Sequence, residues 1–257
     1  MRKTVSALLS LTACIIALTM MPAAGASLPT CPDASLAYYI STFTTPATGC
    51  QIGDKIFSDF EYSGASETNG GIAPTAAGIT VSTLGPAGSG ADASSMQFPN
   101  NIGLSFTGTW NAASPNSTAD GDISFEVSVV GGGPMQIEDA GLAQTSGPVL
   151  GTGTAAVGED ICAGVVYPCS NEAAVATLQT GTYVDVVNDS TFAPTGVISV
   201  SKDINVAAGA YGAAFLSNVQ DTFSQTCVPE PRAISMLLGL GLVVGLVTRK
   251  KFQSVQS

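Results

Sequence analysis

The sequence contains no histidine, and only 11% of its 257 residues are charged. Without an imidazole, neither a Ser-His-Asp nor a Cys-His catalytic group can be assembled. Common zinc sites need histidine or closely spaced cysteines, and none of the six cysteines stands in a Cys-x-x-Cys pair. The composition therefore predicts a protein that is not an enzyme, with no catalytic residues, no metal ligands and no cofactor.

Basic residues are also scarce, and most of them lie near the ends of the chain. The terminal ones are Arg2, Lys3, Arg232, Arg249, Lys250 and Lys251. Residues 27–231 keep only Lys55 and Lys202 against nineteen carboxylates, a formal charge of two minus nineteen, or −17. Phosphate binding needs clustered lysine and arginine, so a nucleic-acid partner is excluded. A surface this acidic keeps a protein soluble and repels anionic lipid.

The N-terminal segment has the three parts of a secretory signal peptide. Arg2 and Lys3 precede an apolar stretch at residues 5–21, and small residues at 24–26 supply a cleavage site. We therefore predict that residues 1–26 are a signal peptide that signal peptidase removes. A lipobox ending at Cys14 is the alternative. It is less favoured because the apolar stretch continues past that cysteine.

Five cysteines remain after residue 26, in a protein destined for an oxidising compartment. Two local pairs are the simplest arrangement, Cys31 with Cys50 and Cys162 with Cys169. Other connectivities stay open, because five cysteines leave one over. In the simplest arrangement that one is Cys227.

Residues 27–225 show the period-two alternation of β-strands and no long helical pattern. The clearest strands cover 104–110 and 123–129. The turn-rich segment 116–122 between them indicates a hairpin with a long loop. Further strands are predicted at 79–84, 134–137, 174–178, 197–201, 204–206 and 213–219. Many short strands without intervening helices predict one all-β domain, an antiparallel β-sandwich.

Two pairs of adjacent carboxylates, at 138–139 and 159–160, are the remaining candidates for acid–base chemistry. Neighbours in a strand point to opposite faces, so we interpret both pairs as solvated surface charge. Asp120-Gly121-Asp122 is similar to the start of a calcium loop, but the later glutamate of an EF-hand is missing.

The C-terminal segment, residues 226–257, has three parts in order. The first part consists of Val228, Pro229, Glu230 and Pro231, whose prolines hold the chain extended. The second part is an uncharged apolar stretch at 233–248, which predicts a transmembrane helix. The third part consists of Arg249, Lys250 and Lys251, which fix that end on the cytoplasmic side. The preceding body is thereby expected outside the membrane.

This order of motif, apolar helix and basic tail resembles the PEP-CTERM sorting domain of bacterial proteins that exosortases process. The resemblance implies that an exosortase acts on the chain near residues 228–231. It also implies a precursor anchored in the cytoplasmic membrane, and a body delivered to the cell surface or the extracellular matrix. An ordinary membrane anchor with an incidental Pro-Glu-Pro sequence is the alternative.

Residues 50–62 are similar to a Cys-x-Ile-Gly-Asp-Lys-x-Phe-x-x-Phe-x-Tyr stretch near the mature N-terminus of a subset of such proteins. Residues 199–225 also resemble the closing strands of this subset. Within the first stretch Lys55 follows Asp54, and we interpret it as a paired structural cation because no activating partner is visible.

These observations lead to one main hypothesis, an exported, non-enzymatic β-sandwich of the cell surface or extracellular matrix. The alternative is an extracellular module whose aromatic residues or acidic loops bind polysaccharide or calcium. A hydrolase that uses two carboxylates is a third hypothesis.

Overall fold

The computed structural model describes residues 27–86, 88–89, 91, 100–132, 135–164, 172–179 and 186–227. The predicted signal peptide and the predicted sorting motif, transmembrane helix and basic tail at 228–251 lie outside these residues. The described residues form one α-helix, α1 (Leu36–Thr42), two three-residue 3-10 helices (Ala76–Gly78 and Val130–Gly132) and twelve strands. The strands are β1 (Ala34–Ser35), β2 (Cys50–Ile52), β3 (Lys55–Thr68), β4 (Thr80–Leu84), β5 (Ile102–Ala112), β6 (Thr118–Val129), β7 (Met135–Ser146), β8 (Thr154–Ala163), β9 (Glu172–Gln179), β10 (Val186–Thr195), β11 (Val197–Ala207) and β12 (Ala214–Cys227).

The strands form two six-stranded antiparallel sheets. Sheet I has the order β1-β4-β5-β12-β7-β10, and sheet II has the order β2-β3-β6-β11-β8-β9. From β5 onwards the eight strands divide as β5-β12-β7-β10 and β6-β11-β8-β9, which is the jelly-roll arrangement of two Greek keys. The prediction of an antiparallel β-sandwich is therefore confirmed for the described residues.

The core lies between the two sheets and consists of the inward residues of each alternating strand. In β6 every second residue is buried along nearly the whole strand. Trp110 has no exposed surface, and the aromatic rings of Phe57, Phe60, Phe106 and Phe125 are 3% exposed or less. Phe125 stacks on Phe60 with ring centroids 5.5 Å apart. These five aromatic side chains thus fill the core.

The predicted hairpin between residues 104–110 and 123–129 is wrong. β5 belongs to sheet I and β6 to sheet II, so the two strands face each other across the core. The connection is a tight turn in which the Ser117 hydroxyl donates to the Ser114 carbonyl at 2.6 Å. Residues 118–122, predicted as loop, are the first part of β6. The local alternation cannot show which strand pairs with which, because the apolar face of each strand is the same in both arrangements.

The helix α1 closes one edge of the sandwich. The Ser35 side chain accepts a hydrogen bond from the Tyr38 backbone N–H at 3.3 Å and caps the helix. Tyr39 and Phe43 pack edge-to-face with ring centroids 5.0 Å apart, and Tyr39 also contacts Phe60 of β3. The helix is therefore held by aromatic packing on the same core as the strands.

One predicted disulfide is confirmed, because Cys31 and Cys50 are bonded to each other. The bridge joins the segment before α1 to β2, and both cysteines are buried. Cys162 of β8 is also disulfide-bonded. Its predicted partner Cys169 lies outside the described residues, so that pairing stays a prediction.

Removal of the confirmed bridge is expected to destabilise the fold. The bond closes a loop with a sequence separation of 19. By the chain-entropy account, a loop of this size contributes about 3 kcal/mol. We expect the Cys31→Ala/Cys50→Ala variant to lose about that free energy of unfolding in urea denaturation. The single Cys31→Ala variant is the matched control and should behave like the double variant, since neither has the bridge. A double variant as stable as the wild type would contradict the prediction.

Candidate functional site

A lysine lies in the middle of the sandwich. Lys202 occupies an inward position of β11, in phase with the buried residues Val200 and Ile204. Glu159 stands directly opposite on the neighbouring strand β8. Asp221 comes from β12 in the facing sheet. We call Lys202, Glu159 and Asp221 the buried ion cluster.

The members of the buried ion cluster are in direct contact. The Lys202 ammonium donates hydrogen bonds to Glu159 Oε2 and to Asp221 Oδ1, each at 2.5 Å. None of the three side chains has exposed surface. The ring centroids of Phe106 and Phe125 lie 5.8 and 5.9 Å from the Lys202 Nζ. The cluster is therefore enclosed between the sheets and bordered by aromatic rings, which attract the cation through their π faces.

The protonation of the cluster follows from its burial. Two carboxylates and one ammonium would leave an uncompensated negative charge in an apolar core, at a high cost. Burial raises the pKa of Asp221 well above its ordinary value, and the neighbouring Glu159 raises it further. Burial alone would lower the pKa of Lys202, but Asp221 and Glu159 together raise it. The raised pKa values of Lys202 and Asp221 both favour the protonated forms of these two groups, which reduces the net negative charge of the cluster.

The remaining oxygens of the cluster fit this protonation. Within the described residues, Asp221 Oδ2 and Glu159 Oε1 are buried and accept no hydrogen bond from a conventional donor. Hydrogen bonding between the two carboxyl groups contributes to the raised pKa of Asp221. A proton on Asp221 therefore gives these oxygens the partner that they lack. The site brings together an amine, a carboxylic acid and a carboxylate, with the protons held among them.

The outer face of sheet II has a different character. A cleft of about 110 Å³ opens over β3, β6 and β11. Its lining residues are Asp59, Glu61, Ser124, Phe125, Glu126, Ser199 and Val200. Burial and the charge of Asp59 raise the pKa of Glu126. The lining is rich in hydrogen-bond acceptors and carries negative charge, so it does not suit an anionic ligand.

Further along the same face, several aspartates stand close together. Asp203 of β11 is paired with Asp122 of β6, and Asp120 and Asp160 are nearby. Partial burial of the carboxyl, the charge of Asp120, a hydrogen bond with Asp120 and the charges of Asp122 and Asp160, in that order of size, together raise the pKa of Asp203 to about 6. A carboxyl with a raised folded-state pKa takes up its proton in the folded state first. Stability is therefore gained as the pH falls through 6 towards 4 and lost as the pH rises again.

We expect Asp203→Asn to be more stable than the wild type at pH 7, because it removes the repulsion from the neighbouring aspartates. The gain should be only about 0.5–1 kcal/mol, since solvent reaches residue 203 and screens that repulsion. The difference should shrink between pH 6 and pH 4, as urea denaturation at each pH will measure. Asp189→Asn is the matched control, since it removes one exposed carboxylate from sheet I and reports the effect of net charge alone. An equal gain at pH 4 and pH 7 would contradict the prediction.

The structure corrects one interpretation of the carboxylate pairs and confirms another pairing. Glu159 is not solvated but 1% exposed, because alternation in β8 turns it inward and Asp160 outward. Lys55 does pair with Asp54, with Nζ and Oδ1 3.3 Å apart. Asp139 was also interpreted as solvated, but both of its oxygens accept hydrogen bonds from Ser224. Two of the four carboxyl groups interpreted as solvated, those of Glu159 and Asp139, therefore make contacts within the fold.

The residues that resemble the start of a calcium loop lie in a strand. Asp120 and Asp122 lie within β6 and not in a loop. The described residues contain no group of three or more cysteine, aspartate or glutamate side chains arranged to hold a metal ion. In the same part of the chain, no helix has the length and apolar character needed to cross a membrane.

One end of the sandwich exposes apolar side chains. Tyr211, between β11 and β12, is 88% exposed, and Leu150, between β7 and β8, is 54% exposed. The two loops are joined by hydrogen bonds, including one from the Tyr211 N–H to the Thr152 hydroxyl at 3.0 Å. This end therefore presents an aromatic ring to solvent on a hydrogen-bonded loop, in contrast to the buried aromatic side chains of the core.

Comparisons with known proteins add little to this description. No family model matches the chain, and no curated protein matches it. Solved structures with some likeness include TmCBM61 in complex with β-1,4-galactotriose, which is 13% identical at a TM-score of 0.28, over 66% of this chain and 90% of that one. A family 11 carbohydrate-binding module from Clostridium thermocellum, in complex with a mixed-linked tetrasaccharide, is 8% identical at a TM-score of 0.21, over 62% and 86%. The enzymatically active domain of bacteriophage CBA120 tailspike protein 4 is 9% identical at a TM-score of 0.30, over 63% and 19%. At this level of likeness, none of the three bears on function.

Proposed function

We propose that the chain is an exported, non-enzymatic protein of the cell surface or extracellular matrix, sorted by an exosortase through Pro229-Glu230-Pro231. The observation that carries this proposal is the use of the aromatic residues. Trp110, Phe106 and Phe125 all fill the core, which favours a stable body over a groove that grips a ligand. The described surface is mainly polar and acidic, as suits a body that stays soluble after release.

The position of the last strand also supports sorting from this end. β12 is a central strand of sheet I and ends at Cys227, one residue before Val228. The folded body is therefore complete where the motif sequence begins. A protease that reads an extended peptide could act on 228–231 without unfolding the sandwich.

The sorting proposal is tested by expressing the full chain in a host with and without a matching exosortase. Mass spectrometry of the C-terminal peptide should show loss of the tail only in the host that has the enzyme. A variant with Pro229→Ala and Pro231→Ala should keep its tail in both hosts, while Pro168→Ala, outside the motif, should be processed like the wild type. A tail that stays uncut in both hosts for the wild type would count against the proposal.

A second candidate function, binding to extracellular polysaccharide, is favoured by one observation. Tyr211 presents its ring to solvent at a fixed loop end beside Leu150. An exposed ring with an apolar neighbour is a common feature of binding surfaces. A pull-down of the full chain with insoluble glycans tests it, and Tyr211→Ala should lose binding while Tyr38→Ala, which removes a partly exposed ring of α1, should keep it. If the glycans retained Tyr211→Ala and Tyr38→Ala equally, polysaccharide binding through Tyr211 would be rejected.

A further inference from the structure

We propose that the buried ion cluster is a self-modification site, in which Lys202 Nζ forms an isopeptide bond with Asp221 Cγ and Glu159 serves as the proton carrier. The bond would join β11 of sheet II to β12 of sheet I and so cross-link the two sheets covalently. This inference does not depend on the proposed sorting or on any ligand, since every reacting group belongs to the body of the chain.

The first reason is the geometry of the three groups. The Lys202 Nζ contacts Asp221 Oδ1 and Glu159 Oε2 at 2.5 Å each. An amine nitrogen that contacts a carboxyl oxygen at this distance is close to the attached carbon as well. Intramolecular reactions between groups held in this way gain a large effective concentration, about 10⁵ M or more in favourable cases. The strands fix all three side chains, so little reorganisation is needed.

The second reason is that the reacting groups are shielded from bulk solvent. Amide formation from an amine and a carboxylic acid releases one water molecule, and bulk water drives the reverse reaction. The three side chains have no exposed surface, and the rings of Phe106 and Phe125 border the amine. An apolar enclosure also favours neutral groups over ions, and the amide is neutral where the ion pair is not.

The third reason is that the two carboxyl groups can divide the tasks of electrophile and base. The amine attacks only in its neutral form, and a carboxyl carbon is attacked readily only when it is protonated. Burial and the adjacent Glu159 raise the pKa of Asp221, which therefore holds a proton. Glu159, aligned with Lys202 across the β8 and β11 pairing, is placed to accept a proton from the ammonium.

The reaction balances with these protons alone. Glu159 first takes one proton from the Lys202 ammonium, and the freed Nζ lone pair attacks Asp221 Cγ. Glu159 then returns its proton to the departing hydroxyl of Asp221, so that the Cγ–O bond breaks and one water leaves. Glu159 then takes up a second proton, this time from Nζ, as the amide forms. The products are a neutral amide, one water and a protonated, neutral Glu159. No oxidant, metal or cofactor is consumed.

Trypsin provides a direct test, because it cleaves after free lysine but not after an acylated one. The full chain is denatured, reduced, alkylated and digested. We expect cleavage after Lys55 but none after Lys202, and a fragment starting at Ile56 that is lighter than its sequence by one water. Fragmentation of the peptides from a second protease should place the bond between Lys202 and Asp221. Cleavage after Lys202 with no missing water would overturn the proposal, and cleavage after Lys55 confirms in the same sample that trypsin acted.

Two variants assign the roles of the carboxyl groups. Glu159→Gln keeps the shape but removes the proton carrier, so trypsin should cleave it after Lys202. Asp221→Asn should still form the bond but release ammonia in place of water, which gives a product of the same mass as the wild-type product. If Glu159→Gln fails to fold, as circular dichroism will show, the Asp221→Asn result still decides whether Cγ of residue 221 acylates Lys202. A persistent bond to Asp221 in Glu159→Gln, or a bond from Lys202 to residue 159 in any form, would overturn the assignment.

Discussion

Lys202→Met is expected to lower the free energy of unfolding by about 3–5 kcal/mol, because it leaves two carboxyl groups buried without their cation. Lys202 has no exposed surface, and both of its ion-pair partners are equally buried. The remaining carboxyl groups must take up protons or draw water into the core, and either response loosens the contact between sheets. Equilibrium denaturation in urea will measure the loss. If Lys202 has been acylated, the variant loses the covalent link between the two sheets instead of an ion pair, so a loss is expected in that case as well.

Two further variants show that the loss arises from the broken cluster. Lys55→Met removes the other lysine of the body, whose partner Asp54 is 46% exposed, and should cost only about 1 kcal/mol. Lys202→Met combined with Glu159→Met and Asp221→Leu replaces the whole cluster by apolar groups and should recover most of the lost stability. If Lys202→Met lost no more free energy of unfolding than Lys55→Met, that result would contradict the prediction.

Phe125→Ala is expected to cost about 3–5 kcal/mol, the usual range for a large aromatic side chain removed from a core. The Phe125 ring lies within 6.4 Å, between centroids, of the rings of Phe57, Phe60, Phe106 and Phe223. These residues come from both sheets, so no single strand can move to close the cavity. The midpoint of urea denaturation should fall accordingly.

The control for the Phe125 prediction is the most exposed aromatic side chain among the described residues. Tyr211→Ala should change stability by less than about 0.5 kcal/mol, since its ring is 88% exposed. Phe125→Leu should cost less than Phe125→Ala because it leaves a smaller cavity. An equal loss for the leucine and alanine variants would mean that the cavity does not set the cost.

The local features of the fold could be predicted from the sequence, because they depend on the alternation of neighbouring residues. The strand at 123–129 was recognised in this way, and it lies within β6. The pairing of β5 with β12, over 100 residues apart, leaves no local pattern, and the predicted hairpin of β5 with β6 was therefore wrong. The helix α1 was missed for another reason. Its seven residues make barely two turns, too few to show a helical period.

The buried ion cluster could have been found from the phase of the strands. Lys202 has the same parity as Ile198, Val200, Ile204 and Val206, all of which are buried. Glu159 is likewise in phase with Val157 and Ile161, and Asp221 with Val219 and Phe223. A charged residue on the apolar side of a strand is the signal that was overlooked. The sequence could not show that the three positions meet, since they come from three different strands and both sheets.

The place of β12 between β5 and β7 has a consequence for the time at which the body folds. Sheet I stays divided until residues 214–227 arrive, although they are the last of the body to be made. If the chain is exported N-terminus first, the sandwich cannot close until its final strand has crossed the membrane. During that interval the buried ion cluster is incomplete, because Asp221 lies in the final strand. On that premise, folding is delayed to the end of translocation.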